Sequence, residues 1–310
     1  MLKQIRDKLF PDYKEVRKLL QNRDIRGIGE TVAIKLANKT IGERNMPLAM
    51  EELHKDAIYF LGGTRYRSKK FEFKGGAGYT EVERISPSYP YYTKALVDEW
   101  PSITNGFETK TLKGTEVSYC NLLIEKKVVG YVNIEIGKEL GRGDRVLLEE
   151  PLSYKFTTKG FVFRAPMPKN ALENAEDGDI DKTAMSAFHA TEHVIIEGSN
   201  MITGGASRDM GGISLGTSGL IFVHDGTPGG NGASKALYDR LDRAYERGLK
   251  ILLECPCTSI SGCPRCTYSY RCGNNNEFLH KLAAREVLKR ISDGEETDIV
   301  EPMLGEKAIV

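Results

Sequence analysis

Five of the chain's six cysteines lie in one stretch, CPCTSISGCPRCTYSYRC, running from Cys255 to Cys272. Thiols this crowded form disulfides, a redox pair or a metal site. The N-terminal run MLKQIRDKLFPDYKEVRKLL is charged and lacks the apolar core of a signal peptide. No apolar run is long enough to span a bilayer. The expected location is therefore cytoplasmic, where thiols stay reduced and a disulfide-stapled loop is disfavoured. A redox C-x-x-C leaves three neighbouring thiols unexplained. A metal site can use four of the five. Cys263 and Cys266 form C-x-x-C, Cys255 and Cys257 form C-x-C, and Gly262 and Pro264 favour the tight turns that aim sulfur atoms inward. Two such pairs can set four thiolates around one tetrahedral ion, and Zn2+ is the expected one. The favoured ligands are Cys255, Cys257, Cys263 and Cys266, with Cys272 as an alternative. Cys120, alone in a strand-like segment, is expected to be a buried core thiol.

The chain has 310 residues, enough for two domains. It carries 44 Lys and Arg against 43 Asp and Glu, a balance that argues against a protein coating nucleic acid non-specifically but allows a local basic face. Residues 2–22 read as an amphipathic helix with a break at Pro11. From residue 23 to 110, TVAIKLA, AIYFLGGTRYRSKKFEF and YTEVERI are rich in β-branched and aromatic residues, with turns at Gly62–Gly63 and Gly75–Gly76. PLAMEELH between the first two reads as a short helix. This part is expected to be a small barrel-like β domain. Residues 111–292 read as a second, mixed α/β domain. TEVSYCNLLIEKKVVGYVNIEIG is expected to hold a hairpin, KFTTKGFVFRAP another strand, residues 180–203 a helix and GLIFVHDG a buried strand. GASKALYDRLDRAYERGLKILLE is expected to be one long helix and EFLHKLAAREVLKRIS a closing one. Strands early and helices late give an α+β class. The acidic tail, 293–310, is expected to be mobile, at least in its first part.

Three further features carry chemistry. TPGGNGASK, glycine-rich before a helix, can offer backbone N–H groups to an anion, but its spacing is not that of a nucleoside-triphosphate loop. The plain alternative is a turn needing unusual backbone angles at Gly229, Gly230 and Gly232. HATEH, His189 to His193, matches H-x-x-E-H. On a helix its two histidines share a face and suit a second metal, with Asp209, His224 and Asp225 as further donors. The alternative is a pair of histidines bonded to loop backbone. Arg65, Tyr66, Arg67, Lys69, Lys70 and Lys74 interleave cations with aromatics beside Phe71 and Phe73. Such a surface can hold a phosphate backbone and stack bases, and Tyr268, Tyr270 and Arg271 form a second such group. The alternative there is an alternating strand, with aromatics inward and cations in solvent.

HDGTPGGNGASKALYD and CPCTSISGCPRCTYSYRCGNNNEFLHKLAAREVL resemble the four-cysteine, C-terminal zinc-binding domain of MrfA-type superfamily 2 DNA helicases. RGIGETVAIKLANKTIGERNMPLAMEELHKDAIYFLGGTRYRSKKFEF and SPSYPYYTKAL resemble the β-rich region between motor and zinc domain in the same helicases, so the resemblance covers about residues 20–292. It implies the non-motor half of a 3′-to-5′ DNA helicase acting in repair, with DNA and a helicase motor, in cis or in trans, as partners. The motor's nucleotide loop and D-E-x-H box are missing from this sequence, so this chain alone is expected to show neither ATPase nor helicase activity. The alternative reading is a metal-dependent hydrolase built on His189, Glu192 and His193.

Overall fold

The computed structural model describes residues 2–5, 8–11, 30–137, 143–176, 179–205 and 209–297. It is an α+β fold dominated by strands. The chain divides into two compact units, Met1–Leu96 with Val128–Tyr154, and Val97–Lys127 with Lys155–Val310. Each unit is discontinuous in sequence, so neither matches the expected division at 110/111. Local pattern cannot reveal this, because three long strands each give residues to both units: β8 (Tyr91–Leu112), β9 (Thr115–Glu135) and β10 (Asp144–Arg164).

The first unit holds a sheet of β3 (Thr31–Leu36), β4 (Lys39–Asn45), β5 (Ile58–Leu61), β6 (Thr64–Lys74) and β7 (Ala77–Arg84), in the order β4-β3-β7-β6-β5. Helix α1 (Leu48–Leu53) links β4 to β5. The turns at Gly62–Gly63 and Gly75–Gly76 fall between β5, β6 and β7, with all four glycines at positive φ. Leu2–Ile5 and Lys8–Pro11 form an antiparallel pair, β1 and β2. This corrects the expected helix for those residues; the rest of 2–22 lies outside the described residues. A two-stranded pairing wins over the helical periodicity here, and Pro11, which cannot donate within a helix, sits at the strand end.

The second unit is built on the order β11-β12-β10-β9-β8, with β11 at Met210–Ser214 and β12 at Leu220–Asp225. β12 is buried along its entire length, its apolar run Leu220–Val223 together with the polar His224 and Asp225. β9 is one continuous strand, which corrects the expected hairpin. Its inward and outward residues alternate through Ile124, Glu125, Lys126, Lys127 and Val128 without interruption. Lys126 takes an inward place and pairs with Glu99, so the charged run Glu125–Lys127 is strand interior.

Helices cover this unit: α2 (Lys169–Glu173), α3 (Ile180–Gly198), α4 (Asn200–Thr203), α5 (Ala233–Tyr238), α6 (Leu241–Glu254) and α7 (Lys281–Ser292). α3 is buried on nearly all sides from Ala184 onward, and Ser186, Thr191, Glu192 and His193 are buried among its apolar residues. The expected single helix over 232–254 is two. Lys110 Nζ donates to the Tyr238 carbonyl at 2.5 Å, taking an acceptor that a continuing helix would use itself. The first part of the tail is not loose: Thr297 bridges Thr115, and Arg290 pairs with Glu295. Residues 298–310 lie outside the described residues. No helix among the described residues is long and apolar enough to cross a membrane.

Candidate metal centre

The segment after α6 turns back on itself and brings four sulfurs together. Cys255, Cys257, Cys263 and Cys266 place their Sγ atoms within 4.8 Å of one another. Cys255 to Cys263 is 3.6 Å, Cys257 to Cys266 is 3.7 Å and Cys263 to Cys266 is 3.8 Å. Thiolates at zinc–sulfur bond length on a tetrahedron stand about 3.8 Å apart, so the donor set fits a zinc ion. The turn is held by the Cys263 carbonyl, which accepts from the N–H groups of Cys266 and Thr267 at 3.0 and 3.1 Å. The Arg265 N–H donates to Cys263 Sγ at 3.4 Å. Gly262 has φ +85°, and a Cβ there would press on Thr267 and on Cys266 Sγ.

Against the upward push of burial, the Cys257 backbone N–H and the neighbouring thiols draw the Cys255 thiol down to about 7. Burial pushes Cys266 up to about 12. An ion that needs thiolates must displace the protons these thiols carry. A residue that the sequence reading missed completes the site. Lys281, buried at the start of α7, donates from Nζ to the Cys255 carbonyl at 2.8 Å, the Cys257 carbonyl at 2.9 Å and Cys257 Sγ at 3.4 Å. Its three ammonium N–H groups match these three acceptors. The same charge offsets a cluster that four thiolates would make negative around a divalent ion. The signal was a lysine on the inward side of an otherwise apolar helix face.

Cys272 stands apart from this group. Its Sγ lies with the ring nitrogens of His189 and His193, the three donor atoms within 4.8 Å of one another. The two rings meet edge to face at 4.4 Å. They line a cavity of about 430 Å³ with Glu99, Trp100, Lys126, Glu192, Gly211, Gly212, His224 and Arg271. Burial lowers the pKa of His189 and raises that of Glu192 to about 8, with Glu99 and Glu197 adding to the latter. Burial opposes the charged form of Glu99 too, but Lys126 and His224 overcome it and hold the carboxyl well below its usual range. Asp209 and Asp225 do not join the histidines in a metal-ligating group. Cys120 is buried, and burial pushes its thiol up to about 12, as a core position does.

The glycine-rich loop is occupied by its own chain. The Asp225 carboxylate accepts from the N–H groups of Asn231 at 3.0 Å, Gly232 at 2.9 Å and Ser234 at 2.7 Å. An incoming anion would have to displace this fixed carboxylate, which corrects the anion-site expectation. The turn reading holds, since Gly229, Gly230 and Gly232 all have positive φ. On β6, Tyr66 is buried, which corrects its expected role as a base-stacking residue. Lys69 is an extra residue in the ladder between Ser68 and Lys70, so both lysines face outward. Lys69 pairs with Glu83 at 3.3 Å and Lys70 with Glu72 at 2.6 Å. The Arg65 and Arg67 guanidinium groups lie over the Phe60 and Tyr89 rings, at 4.8 and 5.2 Å from their centres. Beside the cysteines Tyr270 is 70% exposed, whereas Tyr268 packs against the core.

The model of the MrfA Zn-binding domain matches residues 191–267. MJ1572.1, an uncharacterized protein of Methanocaldococcus jannaschii, is 36% identical over 112 residues, 34% of this chain and 98% of that protein. YprA of Bacillus subtilis, described as an uncharacterized ATP-dependent helicase, is 24% identical over 232 residues. That match covers 74% of this chain and 29% of YprA. The crystal structure of the DUF1998 helicase MrfA has a TM-score of 0.51 at 17% identity, over 85% of this chain and 40% of that one. The last is a likeness of fold. The chain therefore spans less than a third of YprA and two-fifths of the MrfA chain.

Proposed function

The chain belongs to the family that carries the MrfA Zn-binding domain, and we propose that it is the zinc-stabilised, non-motor part of an ATP-dependent 3′-to-5′ DNA helicase. The observation that carries this reading is the four-sulfur cluster at tetrahedral spacing inside the matched domain. Cys255, Cys257, Cys263 and Cys266 would hold one zinc ion, and its chemistry is structural: four thiolates leave no open position. Lys281 orients the loop and balances its charge. ATP hydrolysis belongs to motor domains, in cis or in trans. This part contacts DNA, couples it to the motor, or both, and the repair role implied by the helicase resemblance belongs to the same proposal.

The DNA contacts assigned to this chain are Lys69 and Lys70, whose exposed amines can exchange surface carboxylates for phosphates, with Arg65 and Arg67 beside them. Tyr270 offers an exposed ring and Arg271 a cation for a base. Surface ion pairs such as Lys69–Glu83 hold little energy, so giving them up costs about 1 kcal/mol or less. The test is a titration of labelled single-stranded DNA at two salt concentrations. Changing Arg65, Arg67, Lys69 and Lys70 together to Ala should flatten the log–log salt slope by up to about 3, at roughly 0.7 per phosphate contact. Tyr270→Ala should weaken binding at both salts by about 1–3 kcal/mol. Tyr66→Ala should lower the melting temperature and leave the salt slope of the folded fraction unchanged. Folded wild-type protein that does not bind at low salt overturns the DNA contact.

A further inference from the structure

We propose that His189, His193 and Cys272 bind a second divalent metal ion, zinc by the softness of its donors, with a fourth coordination position open to the cavity beside them. The two histidines stand four residues apart on α3 and present the same ring edge. His189 Nδ1 lies 3.1 Å from the Phe278 carbonyl and His193 Nδ1 lies 2.7 Å from the Thr267 carbonyl. A carbonyl can only accept, so in both rings Nδ1 carries the proton and Nε2 holds the lone pair. Backbone carbonyls fix metal-binding histidines in this way. His189 Nε2 is 3.5 Å from Cys272 Sγ, and nitrogen and sulfur bound to one tetrahedral zinc stand about 3.6 Å apart.

The backbone around Cys272 is shaped to make this group. Asn275, Asn276 and Phe278 all have left-handed φ, at +59°, +63° and +53°. For a phenylalanine that conformation is costly and calls for a reason. It turns the Phe278 carbonyl to His189 and brings the Asn276 N–H to Cys272 Sγ at 3.1 Å, beside Asn274 Oδ1 at 2.8 Å from the same sulfur. Gly211 and Gly212 of β11 let the His224 ring and the Glu192 carboxylate pack against the strand: a Cβ on Gly211 would stand 2.7 Å from His224 Nε2, and one on Gly212 would overlap Glu192 Oε1. Three protein donors beside a cavity make an open site, where the four-cysteine cluster makes a closed one. The inference is independent of the helicase reading: it needs neither DNA nor a motor, and it stands if either is absent.

The experiment counts metal in the full chain, purified, loaded with zinc and desalted, and repeats the count with cobalt, whose absorption distinguishes four thiolates from one thiolate with two imidazoles. The expected result is two ions per chain. Cys272→Ser and His189→Gln should each retain one ion with the tetrathiolate spectrum, and Cys263→Ser should retain one with the weaker single-thiolate spectrum. A thermal melt of each variant shows that it is folded, and the two variants of the second site guard against either failing to fold. One ion per folded wild-type chain, abolished by Cys263→Ser, overturns the proposal. So do two ions retained by both Cys272→Ser and His189→Gln.

Discussion

The four-cysteine cluster and the group of His189, His193 and Cys272 meet at one short segment of chain, yet they are assembled in different ways. The first takes all its sulfurs from twelve consecutive positions, Cys255 to Cys266. Its left-handed turn is placed on Gly262, where it costs no side-chain strain. The second draws on a helix and a loop about eighty residues apart, and its left-handed positions fall on Asn275, Asn276 and Phe278. A closed structural site can be written into a local spacing. A site facing a cavity is written into tertiary contacts, with strain held by the surrounding fold.

The largest expected effect breaks the local cluster. Cys263→Ser or Cys266→Ser should remove its ion and open the loop from Cys255 to Cys266. Binding energy on the order of 10 kcal/mol for structural zinc is then lost to local folding. Chelator competition and limited proteolysis of the segment measure this. Unchanged zinc retention and melting in both variants would refute the site. The comparison also predicts that chelating the wild-type chain exposes this segment to protease, while α3, packed on nearly all sides, stays protected.

A middle effect is expected at Lys281. Lys281→Met keeps the apolar stem but leaves the Cys255 and Cys257 carbonyls without their buried donor and removes the charge beside Cys257 Sγ. Partners of this kind typically contribute tenfold to a hundredfold in metal affinity, so the zinc dissociation constant of the four-cysteine cluster should rise by about that factor. An unchanged constant would mean that the ammonium does not support the thiolates.

These residues show where the sequence was readable. The cysteine spacing, the glycine turns of β5 to β7, the run that forms β12 and the helix bearing His189 and His193 all depend on near neighbours, and near neighbours are what periodicity reports. What escaped depends on distant ones. Lys126 is inward only because Glu99, on another strand, neutralises it. The break between α5 and α6 needs Lys110 of β8. The Asp225 carboxylate fills a loop that looks open in sequence. Tyr66 alternates with its neighbours as a DNA-facing strand would, and only the packed sheet tells which face is inside. Cys272 reads as a spare member of the nearby cluster until the fold sets it against α3.

The smallest effect tests the strain side of the comparison. Phe278 is 49% exposed with φ +53°, so its ring returns only part of the packing energy of a buried one. The left-handed conformation costs a non-glycine residue about 1–2 kcal/mol. Phe278→Gly removes that cost, but adds about 0.5–1 kcal/mol of unfolded-state freedom and loses the half-exposed ring's contacts. The sum should lie within about 1 kcal/mol of zero. Gly262→Ala sets the opposite limit, since a Cβ there meets Thr267 and stands 3.0 Å from Cys266 Sγ at φ +85°; it should destabilise clearly. Thermal melts of the two variants measure the contrast. If Phe278→Gly destabilises as much as Gly262→Ala, the phenylalanine ring is holding the loop by packing, and the backbone at 275–278 is shaped by the core rather than by the need to aim a carbonyl at His189.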